Sequence, residues 1–473
     1  MRKRLTYAAQ TRALLMLGLP IIGSHLAQML LHVTDTVLLG WYGVEELAAV
    51  VLATSTFFVL FILGAGFGIA VMGMVASALG RGDDTQVRRD TRMGLWLSLL
   101  YSLFTLPVFW YSGSILLRFG QEPHIAALAQ DFLRIAGIGM GPALVIMVLK
   151  SYLAALEKTK VQLWVTLTGV FFNFCVAWAL IFGHWGMPEL GVRGAAIASL
   201  LTQSFGAALL GLYAALEPSS RRFHLFQRFW RPDWVAFFRV LRLGVPIGLT
   251  GLAESCLFVA ASVMMGWIGT VELAAHGIAM EVAALAFMVH LGLSNAATVR
   301  VGRAEGEGDP QSMRDSALTA TVLSAGFAFL MIALFLSAPE WLVGLFLDES
   351  KQEAGAILSF GVKLLAMAAL FQLFDAMQVI GLGLLRGVQD TRAPMLIAAL
   401  SYWVIGVPVS YLIAFPGGYG GTGLWFGLAV GLAVAAALLM ARFWRGPWWQ
   451  RLGTSASLGL AADKNAAQIV HGE

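Results

Sequence analysis

The chain has 473 residues, 59% of them hydrophobic and only 12% charged, with a net charge of +4 and a mean hydropathy of +0.78. A water-soluble chain of this length carries about twice that charged fraction, so a soluble globular protein is excluded. Apolar stretches of roughly 20 residues recur from end to end, each long enough to cross about 30 Å of hydrocarbon. The pattern is that of an all-α polytopic membrane protein, since a transmembrane β-barrel would show strands of about 10 residues alternating in polarity.

The opening MRKRLTYAAQTR resembles the n-region of a signal peptide. The apolar stretch behind it is full length and carries no A-x-A site, which predicts a retained first helix. Twelve spans are expected, over 13–39, 47–73, 93–113, 127–149, 162–182, 195–215, 243–267, 273–299, 316–337, 355–384, 395–415 and 423–441. With the N-terminus inside, 26 of the 31 Lys and Arg fall in inside segments, Lys150 being counted with the loop around LEKTK. That asymmetry places both termini in the cytoplasm. The basic stretch 216–242, EPSSRRFHLFQRFWRPDWVAFFR at its core, reads as an interfacial linker with Trp and Arg anchors. Residues 446–473 read as a disordered cytoplasmic tail. Cys175 and Cys256 fall inside spans and are read as small core residues, and no Cys/His cluster suggests a metal.

Sliding the sequence by 226 positions superposes its halves. Gly18-x-Pro20 falls on Gly244-x-Pro246, Gly40-Trp41-x-Gly43 on Gly266-Trp267-x-Gly269, and Gly80-x-Gly82-Asp83 on Gly306-x-Gly308-Asp309. Chance likeness between apolar helices gives scattered Leu and Ala matches, not Gly, Pro, Trp and Asp at one offset. Six helices per copy, an even number, imply two lobes related by a pseudo-twofold axis along the membrane normal. The domains expected are 1–215, a linker over 216–242, and 243–445. Two such lobes suit alternating-access transport.

Almost all Asp and Glu lie in loops; the embedded exceptions are Asp35, Glu254, Glu281 and Asp375. At 1.5 Å per residue, Glu254 lies about 18 Å from Arg242 and Asp375 about 16 Å from Arg386, at nearly one depth in one lobe. Two carboxylates sharing a low-dielectric site cannot both stay bare, so a proton or a cation is expected between them. Local satisfaction by Gln372, Gln378 or Ser255 is the alternative. Under the repeat, Glu254 corresponds to Gln28 and Asp35 to Ala261, so each lobe carries its own acids. Asn173 lies near mid-depth of the fifth helix, where it either bonds Asp35 or packs helices together. His25, His32, His276 and His290 are read as structural.

The repeat, the twelve helices and the strings HVTDTVLLG, LAESC, RVGRAEGEGD and FQLFDAMQVIGLGLLRGVQDTR together resemble the multidrug and toxic compound extrusion (MATE) family, its bacterial NorM-like branch in particular. The likeness runs over about 10–445. It implies a cation-coupled antiporter that expels amphipathic, mostly cationic organic compounds, with Na+ or H+ as coupling ion and no cofactor. It places cation or proton binding at Asp35, Asn173, Glu254 and Asp375, with Glu254 and Asp375 as Na+ ligands. Glu281, Phe371 and Gln28 are further members of that neighbourhood, and Pro20 is a conformational hinge of the first helix. Phe371 stands where the family often has a tyrosine, Glu281 where an amide is usual, and Ala177 where archaeal members carry a second acid.

A lipid-linked oligosaccharide flippase of the same superfamily is the rival reading, disfavoured because the arginines lie in loops or near helix ends. No G-x-x-x-x-G-K-[ST] loop supports a primary pump, and no nucleophile–base constellation supports an enzyme. The expected partners are the lipid bilayer and small organic cations, with no nucleic acid, and the expected state is a monomer in a bacterial inner membrane.

Overall fold

The structure, a computed structural model, describes residues 7–347 and 353–452. Twelve helices in it are long and apolar enough to cross a membrane. They are α1 (Tyr7–Tyr42), α2 (Val44–Arg81), α3 (Asp84–Trp110), α4 (Pro123–Ala155), α5 (Thr159–Phe182), α6 (Val192–Leu216), α7 (Trp234–Ile268), α8 (Thr270–Glu307), α9 (Pro310–Ser337), α10 (Ala354–Gly387), α11 (Arg392–Ala414) and α12 (Gly420–Trp444). Among the described residues there is no strand. All twelve expected spans are present, but α2, α3, α7 and α8 run up to nine residues beyond them. Hydropathy marks where the apolar stretch stops, whereas backbone hydrogen bonding continues through polar flanks such as residues 300–307 of α8. Large apolar side chains such as Phe104, Phe171 and Val322 are exposed, which suits contact with lipid rather than water.

The repeated Gly-x-Gly-Asp motif has a local explanation. Gly82 and Gly308 adopt φ +72° and +71°, the left-handed conformation that ends a helix cheaply only with glycine. The aspartate that follows caps the next helix: Asp83 accepts from the Gln86 N–H at 2.9 Å, and Asp309 from the Gln311 and Ser312 N–H groups at 3.0 Å. The repeat therefore encodes one helix stop and one helix start, twice.

The chain divides into two compact units. One comprises Leu19–Val75 and Asp83–Leu252. Its core joins α1, α2, α4, α5 and α6, with Phe109 of α3 buried and stacked on Phe57 at 5.6 Å. The basic stretch after α6 is fastened onto this unit. Asp233 takes a bidentate grip from Arg89, Glu217 pairs with Lys158 at 3.0 Å, and Trp96 donates to the Phe229 carbonyl at 2.9 Å. Phe223 and Leu225 are buried while Trp230 and Trp234 are exposed, so the linker is a seated element with an apolar outer side.

The other unit holds, of the described residues, 7–18, Ala76–Gly82 and 253–452. Here α10 packs chiefly on α8 and α12. Ser294 of α8 donates to the Val379 carbonyl at 2.7 Å and Thr298 to the Gly383 carbonyl at 2.8 Å, which fixes the rotation of α10. The end of α2 crosses α8 at Gly80 and Gly306, residues equivalent under the repeat. A Cβ on Gly306 would lie 2.8 Å from the carbonyl carbon of Ser77, so only glycine permits this approach. The expected tail begins differently from the reading above: at 446–452 the chain turns back, burying Trp448, whose indole donates to the Phe443 carbonyl at 3.0 Å. Residues 453–473 lie outside the described residues, as do 1–6.

Candidate functional site

In the unit containing α1 and α5, Asp35 is half-buried and Asn173 fully buried. The Asn173 amide donates to Asp35 Oδ1 at 2.6 Å, and Thr202 of α6 donates to Asn173 Oδ1 at 3.0 Å. Thr202 thereby fixes which end of the amide faces the acid. Sequence reading proposed the Asp35–Asn173 contact but missed Thr202, because nothing in the sequence says which face of α6 meets α5. Gln28, on the same helix, is half-buried and forms no side-chain hydrogen bond among those described.

In the other unit, Asp375 is 2% exposed at the middle of α10, and Glu254 stands on α7 within electrostatic range of it. No hydrogen bond joins the two carboxylates. Gln378, one turn after Asp375, reaches Glu254 instead: its amide donates to Glu254 Oε1 at 3.3 Å and to the Tyr402 hydroxyl at 2.6 Å. Gln372 Oε1, Asp375 Oδ1 and Gln378 Oε1 are all buried without a hydrogen-bond partner. Asp375 and Gln378 stand one turn apart on α10, whereas Gln372 faces α8, where its amide meets His290. Buried acceptors are nearly always satisfied, so a bare carboxylate oxygen beside a second acid calls for a cation or a proton. The expectation of local satisfaction by Gln378 thus holds for one oxygen of Glu254 and leaves Asp375 Oδ1 bare.

Tyr402 was not foreseen. It sits in a π-helical segment of α11, Leu400–Gly406, and such one-turn bulges re-aim side chains toward functional sites. No sequence pattern marks the bulge. Phe371 is buried between Phe258 and Trp425, with ring centroids 6.2 and 5.7 Å away, and packs as an aromatic wall. Glu281 is exposed and shares no hydrogen bond with Glu254 or Asp375, so the structure does not draw it into the pair. His276 and His290 are held by hydrogen bonds inside this unit. His276 accepts from the Trp425 indole at 3.0 Å and meets Ser262 at 3.1 Å, while His290 meets Ser324 at 2.7 Å and the Gln372 amide at 2.9 Å.

Two segments, 20–179 and 246–412, match the MatE family model, and their starts are 226 positions apart, the period of the repeat. The chain belongs to the MATE family. It is 49% identical over 434 residues to the probable multidrug resistance protein NorM of Rhizobium meliloti, covering 92% of this chain and 93% of that one. Identity to the protein of the same description from Agrobacterium fabrum is 46%, over 91% and 93% of the two chains. A solved structure of a MATE protein in the bent conformation superposes with a TM-score of 0.85 at 19% identity, covering 95% of this chain and 97% of that one. That of a eukaryotic MATE transporter superposes at 0.83 and 21% identity, over 95% and 98%. MATE proteins are transporters, not enzymes.

One residue changes place relative to the sequence reading. Lys150 lies not in a loop but within α4, half-buried, five residues before the helix ends. Its ammonium donates to Ser24 of α1 at 3.1 Å and to Thr166 of α5 at 3.0 Å. Hydropathy windows place a lysine at a span boundary by default, so its inward direction was not legible.

Proposed function

We propose that this MATE protein is a cation-coupled antiporter that exports amphipathic, mostly cationic organic compounds by alternating access, with Na+ or H+ as the coupling ion. Two six-helix lobes, 1–215 and 243–445, rock about the linker 216–242 in a bacterial inner membrane, both termini in the cytoplasm. The relatives' description as multidrug resistance proteins supports the cargo class. The observation that carries coupling is the bare, buried Asp375 Oδ1 within electrostatic range of Glu254, with the bare Gln378 oxygen one turn away. An all-oxygen donor set in a buried site attracts a hard cation, and Asp375 offers the charge that makes binding worth its desolvation. Phe371 contributes no oxygen, so a Na+ ion would be held by Asp375, Glu254 and the Gln378 carbonyl oxygen. Asp35, with Asn173 and Thr202, serves the other lobe as a separate acid that the exported cation or a proton engages.

The test is efflux of a fluorescent organic cation from inverted vesicles with Na+ and pH gradients imposed separately. Drug export driven by either gradient supports the reading, and the effective gradient names the ion. No export under both gradients would refute it.

A further inference from the structure

We propose that Lys150, with Ser24 and Thr166, is an anion-recognising subsite for the carboxylate of zwitterionic amphiphiles. The inference rests on the exporter reading and deepens it. Three helices converge on this ammonium. Besides the two bonds from Lys150, the Ser24 and Thr166 hydroxyls lie 2.9 Å apart, Thr166 donates to the Gln162 carbonyl at 2.7 Å, and the Gln162 amide donates to the Lys150 carbonyl at 2.6 Å. The lysine is therefore held in a built frame rather than left to reach for water.

Its partners are all neutral. Two of its three N–H groups are taken by hydroxyls, and no carboxylate among the described residues pairs with it. His25 beside it lies within range of its charge and adds no negative charge. An ammonium in a membrane span without a counter-ion is costly and is retained where it handles a ligand. The residue is half-buried, unlike the fully buried Asn173. A lysine presents a point positive charge with a spare donor, which suits a monoanionic oxygen group. Along α1, Ser24 lies eleven residues from Asp35, about 16 Å. Negative and positive anchors so spaced in one unit admit an elongated molecule carrying both charges, which a purely acidic cavity would reject.

The test uses two dyes that differ only in one group, a rhodamine with a free carboxylate and its methyl ester. Efflux of each is measured in vesicles containing wild type, Lys150→Arg, Lys150→Met and Thr166→Val. Lys150→Met should lower carboxylate-dye efflux about tenfold or more while leaving ester efflux within about twofold, the loss expected for one charge-assisted hydrogen bond. Lys150→Arg should retain most carboxylate efflux, and Thr166→Val should lower it by less than Lys150→Met does. Equal loss of both dyes, or no loss of either, overturns the subsite. Should Lys150→Met not fold, the Thr166→Val selectivity decides alone. Wild-type failure to export even the ester would instead sink the exporter reading.

Discussion

Asn173 donates its amide to Asp35 at 2.6 Å while its own carbonyl oxygen accepts from Thr202 at 3.0 Å, so three helices hold one acid. A hydrogen bond to a charged group is worth about 1.5–3 kcal/mol. Replacing Asn173 with Ala removes the donor that an ionised Asp35 uses and should lower coupled efflux at neutral pH by about tenfold. Thr202→Val leaves the amide present but free to turn over, and its loss should be smaller. Efflux by Asn173→Ala at the wild-type rate would show that the contact only packs helices.

Asp375 and Glu254 lie within electrostatic range of each other, and the two acids should fail together. Asp375→Asn and Glu254→Gln should each abolish ion-coupled efflux. Both should still express and run as the wild type on size exclusion, because removing an embedded charge does not itself destabilise a span. Gln378→Leu keeps both charges but removes the bridge to Glu254 and Tyr402. It should raise the Na+ concentration needed for half-maximal efflux, if Na+ is the ion, by about tenfold. Wild-type transport in either acid variant would remove the pair from the coupling mechanism.

The helix count, the repeat and the four embedded acids were legible because each rests on a local quantity: apolar length, identity at a fixed offset, a charge in a hydrophobic run. Asp375 stands out in FQLFDAMQVIG for that reason. What the sequence withholds is rotation about each helix axis. Glu281 reads like Asp375 in sequence, yet it is exposed while Asp375 is buried. Lys150, Thr202 and Tyr402 were missed for the same cause, since their roles depend on which neighbour each helix face meets.

The crossing of α2 and α8 tolerates nothing larger than hydrogen at Gly306, where a methyl group would meet the backbone of Ser77. Backbone cannot rotate away as a side chain can, so Gly306→Ala must push the helices apart. It should destabilise the protein by about 1–3 kcal/mol, read as a lower midpoint of thermal unfolding in detergent. Gly326→Ala, where a Cβ meets nothing within 4 Å, is the control and should leave the midpoint unchanged or raised. Equal midpoints for the two variants would show that the crossing is not a tight constraint.

The seated linker should loosen in acid. The Ser219 hydroxyl, the Lys158 ammonium and the Ser220 N–H hold the Glu217 carboxyl down to about 2 from the ordinary 4.5, against the opposing effect of burial. Arg89 likewise holds Asp233 below its ordinary range. For a depressed carboxyl, stability is fully present above the unfolded value and is lost as pH falls toward the folded one. Amide protection factors over 217–233, corrected for the intrinsic pH dependence of exchange, should therefore fall between about pH 4.5 and about pH 2. Glu217→Gln should flatten most of that dependence at the linker's start while leaving the Asp233 end responsive. A linker whose protection is constant over this range would refute the assignment.

Pro20 lies fifteen residues before Asp35 inside α1. Lacking an N–H, it leaves the Met16 carbonyl without its helical partner, and the helix can bend there at modest cost. Ionised Asp35 needs solvent or the Asn173 donor, whereas neutral Asp35 tolerates apolar neighbours. Protonation should therefore change which shape of α1 is favoured, with Pro20 absorbing the bend. Pro246, the repeat partner in α7, supplies an internal control, because Ala261 stands at the position equivalent to Asp35. Spin labels at the two ends of α1, and separately of α7, should report a bend that varies with pH in α1 alone. Asp35→Asn should fix α1 in one shape across the pH range, and Pro20→Ala should reduce the amplitude of bending while leaving Asp35 able to titrate. A wild-type α1 insensitive to pH, or an Asp35→Asn variant that still bends, would remove Asp35 as the trigger and leave Pro20 a static kink.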